Sequence, residues 1–306
     1  MLQSFRHWEL FIHDDASKAD VRAMVEPYLH DARVTFARSP RRLGIGGNWN
    51  ACLALGNGEY VQYLFQDDVW EPAYLQRTVE TLEADKTLGF VAANHEYRLE
   101  GKSDGRDARY HAITAVKKKH LQSGRQDSTA FLRWWLGRGL RPNVIGEPSF
   151  VLLRRSLMEK LGPFREDLPQ ALDTEYWVRA MLRAPWWYIA DELGAFRVHD
   201  SAASAVNEAE GRGLFDRLSL FDLLLRELPR GELRGAAEQS LRDQLAVMTG
   251  KFMTRAKTGK KVSGGGSQAF IRIALRHPLL LAGGMQKYFQ QRNRTEVPRT
   301  KEELNS

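Results

Sequence analysis

Two apolar runs that each close on a pair of acids constrain this chain most. Tyr60, Val61, Tyr63, Leu64 and Phe65 are followed at once by Gln66-Asp67-Asp68, and Trp8 to His13 leads in the same way into Asp14-Asp15. Short stretches rich in aromatic and β-branched residues read as buried strands, so both runs are expected to be strands with carboxylates at their C-terminal ends. Ligands of open α/β sheets collect beyond those ends, and paired acids there can hold a divalent cation against a phosphorylated substrate. The alternative for Asp67-Asp68 is capping of the helix that follows.

Strand and helix patterns alternate through the first half. A helix is expected over Ser17–Tyr28 and a strand over Arg33–Ala37. A glycine-rich turn, Leu43 to Asn50, runs into a helix that stops near Gly56; such a turn can bring backbone N–H groups up to a phosphate. Pro72–Ala84 reads as a helix and Gly89–Ala93 as a strand. This alternation predicts an α/β fold with a mostly parallel, Rossmann-like sheet flanked by helices. From His95 to Gln126 periodicity fades, and an irregular excursion or lid is expected. Trp134-Trp135, on an expected helix over Asp127–Leu136, suit either a pocket wall or the core.

Order returns with a strand over Ser149–Leu153, a helix to Leu161, a turn at Gly162-Pro163-Phe164 and a helix carrying Asp173, Glu175, Trp177 and Arg179. Asp173 and Glu175 are two apart and do not share a helix face, so one can enter a site while the other supports it. Strands are expected at Trp186–Ala190 and Ala195–His199. Beyond Ala205 the pattern becomes helical over Leu214–Leu228 and Glu232–Thr254. A basic, glycine-rich linker, Gly259–Ser267, then leads into an amphipathic tail over Gln268–Arg292. The expected division is residues 1–204, a helical C-terminal extension over 205–258, and linker and tail over 259–306.

A net charge of +7 among 306 residues favours acidic partners: nucleotide phosphates, an anionic lipid surface or nucleic acid. The lysines and arginines are scattered and no nucleic-acid motif appears, which argues against the last. With Cys52 alone, no disulfide framework or cysteine-rich metal site can form within the chain, and a reducing compartment fits. No apolar stretch is long enough to span a bilayer, and the N-terminal residues lack the sections of a secretory signal. A cytoplasmic protein is expected. Its amphipathic tail either rests on the inner membrane surface or packs onto the protein.

These blocks, in this order, resemble the family 2 glycosyltransferases of the GT-A fold. Phe11 to Ser17 looks like the family's strand-plus-DDGS block. Gly44–Asn50, Gly58-Glu59-Tyr60 and Gln66–Pro72 look like its glycine/asparagine turn and DXD-type metal block. Gly146–Ser149, Arg154-Arg155, Gly162–Phe164 and Asp173–Arg179 look like its acceptor-side blocks, and Phe196–Asp200 is similar to its closing YRVH-type strand. The resemblance covers roughly residues 8–204.

It implies transfer of a sugar from a nucleotide-sugar donor to a saccharide or lipid-linked acceptor hydroxyl, in surface polysaccharide or glycolipid assembly. Asp173 would be the catalytic base of an inverting displacement. Asp15, with Asp14, Gly44, Asn50 and Asp67, would face the nucleotide. Asp68 and His199 would hold Mg2+ or Mn2+; Glu175, Trp177 and Arg179 would support the acceptor side. Three departures stand out: the family's opening strand is missing before Met1, Gln66 replaces the first DXD acid, and Leu172 stands where many members have Glu. The first implies either a start inside a longer protein or compromised activity. The competing expectation is therefore a catalytically impaired nucleotide-sugar-binding protein.

Overall fold

The computed structural model describes residues 2–100, 106–199, 212–258 and 264–296. It divides into two compact units, one of residues 1–132 and 141–210, the other of 133–140 and 211–306.

In the first unit, β1 (Leu10–Asp14) pairs in parallel with β2 (Val34–Arg38) as a two-stranded sheet, with a short helix α1 (Val21–Val25) between them. Helix α2 (Gly44–Leu53) follows. The larger sheet runs β3 (Tyr60–Gln62), β7 (Val151–Arg154), β5 (Phe90–Leu99), β8 (Trp186–Val198), β4 (Val69–Trp70), with β6 (Gly124–Gln126) also on β8.

The expected mostly parallel arrangement is corrected to a mixed sheet. The larger sheet has one parallel pair, β5–β8, while β7 is antiparallel to both β3 and β5, and β4 and β6 are antiparallel to β8. Alternating strand and helix patterns do not encode the direction of entry. β7 follows residues 100–150 and enters its slot from the opposite end.

The two expected strands over 186–199 are one 13-residue strand. Its long parallel pairing with β5, carried through irregularities near Asn94, extends β5 to Leu99. Of the excursion expected over His95–Gln126, the first five residues are thus strand, and Arg106–His120 form helix α4.

Alternation along β5 sorts its two faces. Phe90 stacks on Trp186 and Trp177 on one face. On the other, Val91 and Ala93 join Leu75, Leu82, Phe150 and Leu152 under α3 (Tyr74–Ala84). Helix α5 (Ser128–Gly137) begins in this unit and ends in the second, where Trp135 is fully buried, so the core reading holds for that residue. Helices α6 (Arg155–Leu161) and α7 (Leu172–Met181) complete the unit.

The second unit is helical: α8 (Arg212–Glu227), α9 (Glu232–Thr258), α10 (Gly264–Arg276) and α11 (Pro278–Glu296). Gly264–Ser267, expected in a flexible linker, opens α10, and the rest of that linker lies outside the described residues. Phe270 packs on Phe252, and Ile273 is buried, which gives the helix a docked face to propagate from. Buried Asp222 on α8 binds Arg226, Arg276 and His277, fixing the corner between α10 and α11.

Candidate active site

The turn after β3 places the central acids. Phe65 N–H donates to Ser149 Oγ at 3.0 Å, and Asp68 N–H closes onto Phe65 O at 3.1 Å. Trp70 Nε1–H then donates to Ser149 O, and Glu71 N–H to Leu193 O. Asp67 and Asp68 therefore sit in a loop pinned between β7 and β8. Capping is excluded for them, because α3 begins at Tyr74 with Ala73 before it.

Asp67 faces His199 at 2.9 Å, and its carbonyl accepts from Arg197 Nε at 2.6 Å. Asp68 is 8 % exposed, and neither of its oxygens makes a hydrogen bond. Burial pushes its carboxyl up to about 6; the neighbouring Ser149 hydroxyl and Arg197 offset only part of this, and Asp67 adds to it. A buried anion without donors is costly, and a hard divalent cation is what its oxygens suit. Such ions usually take one or two carboxylates, with substrate phosphates and water completing the shell. Among the described residues no three acid, histidine or cysteine side chains gather as a ready cage. His199, expected as a second ligand, pairs with Asp67.

Asp173 opens α7. Its Oδ2 accepts from Asn143 Nδ2 at 2.8 Å and its Oδ1 from Thr174 N–H at 2.6 Å. The same Asn143 amide donates to Gly146 O, and its Oδ1 accepts from Gly146 N–H. Trp177 Nε1–H also ends on Gly146 O, at 3.0 Å. Asp173 and the loop 143–147 are thus one hydrogen-bonded assembly.

Trp177 is fully buried, so it holds Gly146 through its indole N–H rather than presenting its ring. Glu175 and Arg179 form a buried two-bonded ion pair, with Arg179 also donating to Leu161 O and Pro163 O. That is support, as their positions on the inner helix face require.

The nucleotide-side candidates are engaged locally. Asp14, buried, accepts from Ser17 N–H and pairs with Arg38; these bonds hold its carboxyl below the usual range. Asp15 accepts from the N–H groups of Leu43 and Gly44, fixing the start of α2, where Gly44 takes φ +82°. Asn50, expected at the nucleotide, exchanges hydrogen bonds with Phe164 N–H and O, and so holds the Gly162–Phe164 turn.

Four further residues belong to this region: Asn143, bonded to Asp173; Glu147, within the block Gly146–Ser149; and His95 with Lys117 behind Glu147. Burial raises the Glu147 carboxyl, and the charges of Asp173 and Asp68 add to this while Lys117 opposes it. Asn143 ties its loop to Asp173, and Ser149, two residues after Glu147, ties it to the turn that carries Asp68, while the contacts of Asp15 lie at α2. The absence of periodicity around Lys117 hid its helix. The sequence marks Glu147 only as part of the block Gly146–Ser149, with no individual role.

The sequence pattern described as glycosyl transferase family 2 matches residues 2–161. An uncharacterised protein of Mycobacterium tuberculosis is 30 % identical over 232 residues, covering 75 % of this chain and 70 % of its own. An uncharacterised glycosyltransferase of Nostoc is 44 % identical over 48 residues, 16 % of this chain and 15 % of its own.

Among solved structures, Staphylococcus aureus TarS 1–349 in complex with UDP superposes with a TM-score of 0.60 at 16 % identity, over 97 % of this chain and 86 % of TarS. A mannosyltransferase of Pyrobaculum calidifontis, in complex with GDP-Man and Mn2+, gives 0.55 at 17 % identity, over 94 % and 80 %. Sequence pattern and fold agree with the acids gathered at the strand ends: the chain belongs to glycosyl transferase family 2 and is a glycosyltransferase of the GT-A fold.

Proposed function

We propose that the protein transfers a sugar, with inversion, from a nucleoside diphosphate sugar to a saccharide or lipid-linked hydroxyl in surface polysaccharide or glycolipid assembly. The observation that carries this is a buried, unbonded Asp68 and a held Asp173, both tied to the segment 143–149. Asp68, with Asp67 and His199 beside it, would hold Mg2+ or Mn2+. When bound, that ion neutralises charge on the departing diphosphate.

Asp173, oriented by Asn143, takes the proton of the attacking hydroxyl. The oxygen bonds to the anomeric carbon, and the electron pair of the broken carbon–oxygen bond leaves with the diphosphate. One carboxylate opposite the leaving group suffices, hence inversion.

Release of nucleoside diphosphate from UDP- and GDP-sugars, with and without Mn2+ and an acceptor panel, tests this. Turnover that Asp173→Asn lowers by roughly a hundredfold or more supports it. Nucleotide binding without turnover in the wild type, unchanged by Asp173→Asn, favours the binding-protein reading.

The second unit supports a peripheral membrane site. No described helix is long and apolar enough to cross a bilayer. Yet Ile271 (55 %), Leu275 (77 %) and Leu279 (85 %) are exposed at the α10–α11 corner, with Met285 and Phe289 further along α11. Residues 251–295 contain lysines and arginines and no acid. An apolar stripe on a purely basic segment matches an anionic lipid surface.

A further inference from the structure

Glu147 is the acid that the reaction scheme above leaves without a task. It lies deep in the protein, but 28 % of its side chain is still open to solvent, and its Oε2 is buried without a hydrogen bond. Behind it stand two fully enclosed groups. His95 Nε2 is 3.7 Å from Oε2, beyond hydrogen-bond reach, and 3.3 Å from Lys117 Nζ. Lys117 is 2 % exposed; its charge acts on Glu147, but no ion pair closes between them.

The His95 ring is itself fixed. It stacks on Phe150 at 4.0 Å, and Gly146, at φ +103°, packs so close that a Cβ there would lie 3.0 Å from His95 Cε1. A buried ion pair kept for stability would satisfy both partners. Here the cation is held back, and the carboxylate keeps lone pairs unused.

Its position says what those lone pairs can meet. Asp68 marks where the diphosphate is held, and Asp173 marks where the attacking hydroxyl must be. The transferred sugar has to bridge these two points. Glu147 lies in the segment that Asn143 bonds to Asp173 on one side and Ser149 bonds to the Asp67-Asp68 turn on the other.

Resting on the function proposed above, we propose that Glu147 recognises the transferred sugar itself, accepting hydrogen bonds from its ring hydroxyls, with Lys117 and His95 as positioning residues. The donor sugar would be a neutral hexose or N-acetylhexosamine. A hexuronic acid would bring a further carboxylate toward Asp68, Glu147 and Asp173 and be rejected.

The test is calorimetric titration, with Mn2+ present, of UDP, GDP and their hexose, N-acetylhexosamine and hexuronic acid conjugates. Wild type, Glu147→Gln and Lys117→Met are compared, with sugar transfer measured in parallel. Gln is isosteric and removes a buried charge, so Glu147→Gln is expected to fold.

The expected result is nucleoside diphosphate affinity within about twofold of wild type, with conjugate affinity and kcat/KM both lowered roughly tenfold to a hundredfold, as loss of a charge-assisted hydrogen bond implies. Discrimination against the hexuronic acid conjugate should shrink in Glu147→Gln. Lys117→Met should lower kcat/KM without changing nucleoside diphosphate affinity. Conjugate affinity and selectivity unchanged in Glu147→Gln, with diphosphates still bound, would overturn this inference alone. A wild type that binds no diphosphate would overturn the parent reading and this one with it.

Discussion

Asp68 is a residue whose burial works against the fold. Its carboxyl is pushed up to about 6 by desolvation, against 3.8 in the unfolded chain. Between those values the folded protein holds a proton that the unfolded chain has released. The contribution of Asp68 therefore falls as pH rises from about 4 to 6, by on the order of 3 kcal/mol. Asp68→Asn is accordingly expected to raise the melting temperature of the metal-free protein at pH 7.5, by a few degrees as a rough figure. It should also abolish stabilisation by Mn2+ with nucleoside diphosphate. Scanning calorimetry with and without EDTA reads both; a lower melting temperature in the metal-free variant would contradict the assignment.

Asp14 has the opposite sign. Its carboxyl is lowered by the Ser17 and Arg38 contacts, so its contribution is present above pH 4 and is lost on acidification. The sequence marked Asp14 and Asp68 alike, as acids at strand ends. What separates them is which donors the fold brings to each.

Among the elements, β4 is the shortest and the most consequential. Its two residues pair with Ala195 and Gly194 of β8, and that pairing holds the Asp67-Asp68 loop against the sheet. At Gly194 a Cβ would run into Val69 O and approach the Phe150 ring to 2.8 Å. Gly194→Val is expected to part β4 from β8, destabilising the protein by about 1–3 kcal/mol and reducing Mn2+-dependent nucleotide binding more than that loss explains. Denaturant melts together with calorimetry check this, and unaltered metal-dependent binding would refute it.

Helix α7 carries two acids in different settings, Asp173 bonded to Asn143 and Glu175 buried against Arg179. Glu175→Ala would leave the buried Arg179 guanidinium without its partner, at about 3–5 kcal/mol of stability by urea melts, far beyond the effect expected for Asp173→Asn. The sequence made this division legible, since residues two apart on a helix cannot share a face. It did not make α4 legible. Half of that helix's pattern is charged, and one of those charges, Lys117, points inward.

At the scale of the whole molecule, the helical unit has packed and exposed apolar positions. Gly284 packs against the α9 backbone near Arg242 and Ala246, and Tyr288 against Gly250, while Ile271, Leu275 and Leu279 are exposed. Ile271→Ser, Leu275→Ser and Leu279→Ser combined should leave the fold intact and lower binding to vesicles containing phosphatidylglycerol about tenfold or more. Binding to phosphatidylcholine vesicles should be weak throughout. Undiminished flotation of the triple variant would remove the membrane role.

The sequence by itself determined most of the order of strands and helices outside residues 95–126, the acids at the strand ends and the family, because these are carried by local periodicity and short motifs. Only the tertiary structure decided which acids stay unpaired, which become caps or ion pairs, and which further groups join them. Those outcomes depend on donors and charges from His95, Lys117, Asn143, Glu147 and Asp173, far apart along the chain and adjacent only after β5, β7 and β8 have paired.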